Sequence, residues 1–348
     1  MRKPLTIGLM GAVVLVAAGI LLNDTFMEDA KAPLKVGVAP YQDMAMLYAA
    51  EPNQIDEKND VELELISMQW ADLTPAVASA TRTVDVAFAS LIQFIAQEPT
   101  LNSNTDDPIV FFYPAYVFKG GAFMAFDDGV PEITRETLSD AETIRSFLSH
   151  SFAVQRTSSY EILLHDLAGR IGMSLDDVER VDVDSSDGLL AAINGSVDVF
   201  AAGLTQKNDA LKKGGRSVLE MDALGQVDVA GFIAKRSTLE ARAEDIDKLM
   251  RVWVDSIDFV MSDIEQNSKD SLAFLRAQSS TDYSIDEYKT ALSQEWLPTS
   301  IAATRSEIIE PGARYDYRRV VESVSSYYLA NDLIPRLPEN IELISIDP

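Results

Sequence analysis

Two stretches far apart in the chain follow one plan. Residues 61–90 read VELELISMQWADLTPAVASATRTVDVAFAS, and residues 178–203 read VERVDVDSSDGLLAAINGSVDVFAAG. Each runs as a strand, a polar loop holding an Asp, a short Ala/Leu helix, a small-polar turn, then V-D-V followed by small residues. The segments that precede them also match in layout: KVGVAPYQDMAMLYAA at 35–50 against FAVQRTSSYEILLHDLA at 152–168. The chain therefore builds one β-α-β-α-β unit twice. Strands alternating with helices predict an α/β fold with largely parallel sheets.

Between and after the two units lie further apolar strands, GGAFMAF at 120–126 and VDVAGFIAK at 227–235. They read as crossovers, so the expected architecture is two similar Rossmann-like lobes joined by two crossover strands, with C-terminal helices. The expected boundaries are 34–124 for the first part of lobe 1, 127–222 for lobe 2, and 226–348 for the rest of lobe 1 and the helices. Two crossings leave a cleft with a two-strand hinge, which can close around a ligand. A 3.6-residue stripe from Ile246 to Ile264 (Leu249, Met250, Trp253, Val254, Ile257, Val260, Met261) predicts a core-facing helix. Within the first unit, MAMLYAAE reads as a helix, Trp70 as loop, and LTPAVASA as a helix with Pro75 in its first turn, where proline is tolerated. The tail LIPRLPENIELI reads as a docked, irregular end.

At the N-terminus, Met1-Arg2-Lys3 is basic, and Leu5 to Leu22 carries no charge. That layout fits either a secretory signal or a single membrane anchor over residues 1–26, with the body exported in both cases. Ala30-Lys31-Ala32 is an A-x-A pattern, set farther from the apolar run than is usual for cleavage. The 348 residues carry a formal charge of −26, which argues against nucleic acid and anionic membrane surfaces as partners. There is no cysteine, so disulfides, thiolate metal sites, a cysteine nucleophile and a lipid-bearing Cys are excluded. Two histidines, His150 and His165, form no metal-ligand or triad spacing. No Gly-rich phosphate loop or nucleophile elbow occurs. No cofactor and no metal are expected.

The stretch FAVQRTSSYEILLHDLAGRIG at 152–172 sets a polar knot between a strand and a helix. Ser158 with Glu161 fits a capping box, and Gly172 supplies a C-terminal stop, so the helix begins at Ser158 or Ser159. Helix starts carry partial positive charge and free N–H donors, and ligands of open α/β sheets bind beyond the carboxyl ends of the strands. Arg156, Thr157 and Ser158 at that edge suit a carboxylate or sulfonate. The alternative is that Arg156 pairs with a surface acid of a very acidic chain. The facing strand ends are Tyr41-Gln42, Trp70 and Ala89-Ser90. The two aromatics there either clamp an organic body or belong to lid packing. Gly203 and its neighbours mirror Ala89-Ser90 in the second unit. Asp85 and Asp198, inside the matching V-D-V strings, read as structural acids of separate lobes. Loss of a buried Arg156 pair is expected to cost a few kcal/mol of binding.

Taken in order, LKVGVAPYQDMAMLYAAE, the 61–90 string and the 151–203 string resemble the periplasmic solute-binding proteins of ABC importers, in particular the nitrate/sulfonate/taurine and thiamine-precursor-like binding proteins. The resemblance covers roughly residues 34–335. It implies a type II two-lobed fold, no catalysis, and delivery of a small-molecule ligand to an importer permease in the membrane, from a periplasmic or other extracytoplasmic location. Carried over by position, the ligand-binding set is Tyr41, Gln42, Trp70, Ala89, Ser90, Tyr113, Arg156, Thr157, Ser158, Gly203 and Thr205. Where many members carry a Trp-Glu-Pro-like stretch after the second V-D-x strand, this chain has AAGLTQK, so that wall differs. The ligand implied is a small organic anion or zwitterion, sulfonate- or taurine-like. The alternative function is a ligand-sensing receptor that signals to a membrane partner.

Overall fold

A computed structural model describes residues 32–81, 83–224, 227–278 and 283–346. The basic and apolar N-terminal run lies outside the described residues. Among those residues no helix is long and apolar enough to cross a membrane.

From Leu34 onward the chain forms one unit holding two sheets with the same strand plan. Sheet one contains β1 (Leu34–Val38), β2 (Leu63–Ser67), β3 (Val86–Ser90), β4 (Ile109–Phe118), β10 (Asp228–Lys235) and β11 (Glu295–Trp296). Sheet two contains β5 (Ala122–Ala125), β6 (Phe152–Ala153), β7 (Arg180–Val181), β8 (Val199–Ala202) and β9 (Arg216–Glu220). Their orders are β11-β4-β10-β3-β1-β2 and β7-β6-β8-β5-β9. In each, three strands run parallel around the first strand of the unit: β2-β1-β3 and β7-β6-β8. Beside them an antiparallel strand arrives from the other half: β10 against β3, β5 against β8. The chain thus crosses from β4 to β5 and returns from β9 to β10, and each crossing strand completes the sheet it enters. These are the two similar lobes and two crossover strands expected from the repeat.

The matching V-D-V acids do matching work. Asp85 accepts the Lys35 N–H at 3.0 Å, at the start of β1. Asp198 accepts the Ser151 N–H and hydroxyl, each at 2.9 Å, one residue before β6. Each carboxylate ties its strand to the parallel neighbour at the end remote from the strand tips. Both acids are structural, as their position in the repeat implied.

The helices that matter to the strand tips are α1 (Trp70–Ala78), α2 (Leu91–Leu101), α3 (Ala141–Leu148), α4 (Ser159–Arg170), α5 (Ser185–Ile193), α6 (Leu204–Lys212), α7 (Ala243–Ser262), α8 (Lys269–Gln278), α9 (Ile285–Ser293) and α10 (Tyr317–Ala330). Helix α7 buries Ile246, Leu249, Met250, Trp253, Ile257 and Val260, and Trp253 donates its indole N–H to the Ala115 carbonyl at 3.0 Å. Met261, placed in that stripe by periodicity, is exposed instead, one residue before the helix ends. Two local readings change. Met44–Ala49 is a 3-10 helix, tightened by Asp43, which accepts the Met44 N–H at 2.7 Å. Trp70 is the first residue of α1, not loop, so Pro75 sits inside the helix and not in its first turn. The tail does dock: the Phe111 N–H donates to the Asn340 carbonyl, and the Glu342 and Ile344 N–H groups donate to Phe111 and Phe112.

Candidate functional site

β1, β2 and β3 end on one edge of lobe 1, where β4 also ends and β10 begins. On that edge Ser90 caps α2 by accepting the Gln93 N–H at 3.2 Å and donates its hydroxyl to Asp228 Oδ2 at 2.6 Å. Gln42 donates through Nε2 to Glu295 Oε1 at 2.6 Å, and its carbonyl accepts the Tyr288 hydroxyl at 3.0 Å. Trp70 donates its indole N–H to Gln93 Oε1 at 2.8 Å, and the Tyr41 ring leans on it at 5.9 Å between centroids. Ala89, five per cent exposed, lies opposite Gly231 of β10.

β6, β7 and β8 end on the facing edge of lobe 2. Ser158 caps α4, accepting the Glu161 N–H at 3.3 Å. The reciprocal arm of the expected capping box lands one residue earlier: Glu161 Oε2 accepts the Thr157 N–H at 2.8 Å, because Thr157 adopts the left-handed conformation with φ of 56°. Glu161 is buried, with the Arg180 guanidinium 3.6 Å away. The start of α4 therefore already holds a carboxylate of its own. Arg156 is exposed, and its backbone N–H donates to Asp182 Oδ1 at 2.9 Å. Tyr160 donates its hydroxyl to the Ala202 carbonyl at 2.8 Å, next to Gly203, which caps α6.

Polar contacts join the two edges. The Thr205 and Tyr283 hydroxyls meet at 2.7 Å, Tyr328 donates its hydroxyl to the Thr157 carbonyl at 2.7 Å, and Lys212 Nζ meets Glu287 Oε1 at 2.6 Å. The crossover at Gly120-Gly121 is packed as closely. A Cβ on Gly121 would lie 2.5 Å from the Tyr160 hydroxyl, and one on Gly120 would lie 2.6 Å from Leu204.

Ten of the sequence-predicted residues thus fall on the two facing edges: Tyr41, Gln42, Trp70, Ala89, Ser90, Arg156, Thr157, Ser158, Gly203 and Thr205. Tyr113 is not brought there. It sits mid-strand on β4, five residues short of Phe118, or about 16 Å along an extended chain, and it lines a cavity of about 140 Å³ under the tail with Ile301, Arg305 and Ile344. A larger cavity, about 580 Å³, opens beside the hinge between Lys119, Glu132, Arg135, Glu220, Gln294 and Arg314. It shares no residue with the strand-tip set.

Sequence reasoning passed over the acids. Asp43, Asp228 and Glu295 are all buried. Burial pushes the Asp228 carboxyl up to about 7, offset in part by the Ser90 hydroxyl and the Ile92 N–H. Burial likewise raises Asp43 and Glu295, with the Asp43 charge raising Glu295 further and Gln42 and Lys119 pulling it back. Tyr116 hydrogen-bonds Asp43 and feels all three carboxylates, so its phenol is held well above its ordinary range, burial being the first cause. Tyr41 is pushed up to about 12 by burial, then by Asp43 and by Asp184 of the other lobe. Asp43 was visible next to Gln42, and Asp228 is the acid of a further V-D-V string. Glu295 has no local signal at all.

Comparison with known proteins agrees with the fold. Residues 133–266 match the family model described as NMT1/THI5 like. No curated protein matches the chain. Among solved structures, the periplasmic aliphatic sulphonate binding protein SsuA from Escherichia coli superposes with a TM-score of 0.65 at 16% identity, over 89% of this chain and 96% of that one. The alkanesulfonate-binding protein SsuA from Xanthomonas axonopodis pv. citri, bound to MOPS, gives 0.62 at 14% identity, over 90% and 99%. The ligand binding component of an ABC-type import system from Staphylococcus aureus, with zinc bound, gives 0.62 at 14% identity, over 91% and 97%. The chain has the periplasmic-binding-protein fold, and the resemblance read from its sequence is borne out by both the family model and these neighbours.

Proposed function

We propose that this chain is an extracytoplasmic solute-binding protein that captures a small organic anion or zwitterion between its lobes and presents it to the permease of an ABC-type importer. One observation carries the reading: the two strand-tip edges face each other across a two-strand hinge and touch through polar side chains. Such contacts can part and re-form at modest cost, as hinge closure requires. The names of the neighbours, sulfonate-binding proteins and an ABC import component, support the ligand size and the partner.

The lobes divide the task. The lobe 2 edge offers the exposed Arg156, the lobe 1 edge a carboxylate-rich floor beside Tyr41 and Trp70. A zwitterion answers both edges better than a simple anion, since its negative end can meet Arg156 while its positive end faces the acids. The reading assigns no reaction to the site.

The test is a thermal-shift screen of the full-length chain against taurine, alkanesulfonates and nitrate. A ligand that binds only the folded state raises the melting temperature, and at least one of these is expected to do so. Because Arg156 is exposed, Arg156→Ala should weaken binding roughly fivefold, an exposed ionic contact being worth about 1 kcal/mol. That is less than a buried pair would give. A flat screen, together with an unchanged radius of gyration by small-angle scattering, would reject the receptor reading.

A further inference from the structure

The three buried acids define what the lobe 1 edge is built to receive. They come from separate segments: Asp43 from the loop after β1, Asp228 from the return crossover, and Glu295 from edge strand β11. Asp228 and Glu295 flank Phe118 of β4, one from each side, so their side chains leave the same face of the sheet in one row. Tyr116, two residues before Phe118, lies within electrostatic reach of both and of Asp43.

Neutral donors partly satisfy these carboxylates: the Met44 N–H, the Ser90 hydroxyl and Gln42 Nε2. What remains is one-sided. Asp228 Oδ1, Glu295 Oε2 and Gln42 Oε1 are buried without a hydrogen-bond partner. All three are acceptors, and two belong to groups that carry negative charge when ionised. Buried carboxylates normally have a paired cation or a full set of donors, because leaving them bare is costly. Among the described residues Lys119 acts on Glu295, while no basic side chain shifts Asp43 or Asp228. An anion would add acceptors and negative charge where both are already in excess.

The opposite edge points the same way, since Glu161 already occupies the start of α4. The shape of the cluster selects the kind of cation. Among the described residues no three His, Asp or Glu side chains converge closely enough to hold a metal ion, so the charge that fits is spread over a larger group. The phenols of Tyr41, Tyr116, Tyr160 and Tyr283 each lie within electrostatic reach of one or more of these acids, and aromatic rings favour organic cations.

We infer that the ligand carries a positively charged organic nitrogen, an ammonium or amidinium, which docks on lobe 1 against Asp43, Asp228 and Glu295. This rests on the receptor reading and narrows it: the cationic end is required, and the anionic end is secondary. Closure then brings Tyr160 and Thr205 of lobe 2 over the bound group. In the empty closed form the acids stay uncompensated, which favours reopening of the lobes once the ligand has left.

The test uses full-length chain and matched probes. Choline is set against 3,3-dimethyl-1-butanol, its neutral isostere, and taurine against isethionate, in which a hydroxyl replaces the ammonium. Calorimetry and thermal shift should show binding by the charged member of at least one pair, weaker by roughly 10- to 100-fold or absent for its uncharged partner. Asp228→Asn and Glu295→Gln should each abolish that preference. A second readout needs no ligand: at pH 8, above the value of about 7 to which burial raises Asp228, Asp228→Asn should melt higher than the parent, because it removes a buried charge that no cation offsets. Isethionate binding as tightly as taurine would overturn the inference and leave the receptor reading intact. An Asp228→Asn chain that melts lower than the parent would show this acid to be structural and overturn it as well. If, in addition, no probe of either charge shifts the melting point, the receptor reading falls with it.

Discussion

At the scale of single residues, the site turns on where charge is satisfied and where it is not. Arg156 drew notice in the sequence because it stands at a helix start, yet the nearby buried acid, Glu161, faces Arg180, and Arg156 itself stays in solvent. Asp228 is the reverse case, unremarked in the sequence and central in the structure. Its folded carboxyl titrates near 7 against an unfolded value of 3.8. Between those values the folded chain holds a proton that the unfolded chain releases. Its contribution to stability is therefore full below about pH 4 and lost as pH rises through about 7. Burial raises it, the Ser90 hydroxyl and the Ile92 N–H pull it back, and its charge in turn raises the phenols of Tyr116, Tyr160 and Tyr328. In urea titrations at pH 5 and pH 8, Asp228→Asn should lose part of the stability difference that the parent shows between them. An identical pH slope in parent and variant would remove Asp228 from the account.

At the scale of elements, the repeated V-D-V string was legible because it is local, and its role was legible because it occurs twice. Asp198 is held below the usual carboxylate range, first by the Ser151 N–H, so its stabilising effect is present above pH 4 and lost as pH falls, opposite to Asp228. Asp198→Ala frees the Ser151 N–H and hydroxyl together. It should cost about 1–2 kcal/mol and speed amide exchange at Phe152 and Ala153 more than at β1. Equal exchange in both lobes would deny it the strand-tying role. Element type was harder to read than element position. The run MAMLYAAE has helical composition, but Asp43 binds the first N–H and the segment tightens to a 3-10 turn. Trp70 joins α1 because its indole is anchored to Gln93 of α2, the helix that follows β3, a contact no local pattern reports. Tyr113 was misplaced because β4 is long, and only its last residues reach the strand-tip edge.

At the scale of the whole molecule, the lobes are held together by few side chains, drawn from the C-terminal helical region as much as from the repeats. Tyr283 and Tyr328, which bind Thr205 and the Thr157 carbonyl, come from segments with no counterpart in the repeated plan. Tyr283→Phe with Tyr328→Phe should leave each lobe folded and loosen their closure. The measurable outcome is a larger radius of gyration in the ligand-free chain, reversed by ligand. No change in the scattering curve would mean that closure is set by the hinge alone. The charge of −26 adds to this picture, since an acidic protein draws cations towards its surface before any contact forms.

Alternation of strand and helix, and its repetition, are written in neighbouring residues, because side-chain periodicity is a property of a few consecutive positions. From that the chain alone determined two modules, their shared plan, and which strand tips face each other. It could not determine the chemistry of that place. Gln42 and Glu295 bond to each other across 253 positions, and Asp43 and Asp228 join them only when the return crossover enters the first sheet. Whether a buried acid has a partner depends on which distant groups share its space, and the packing of the lobes alone decides that.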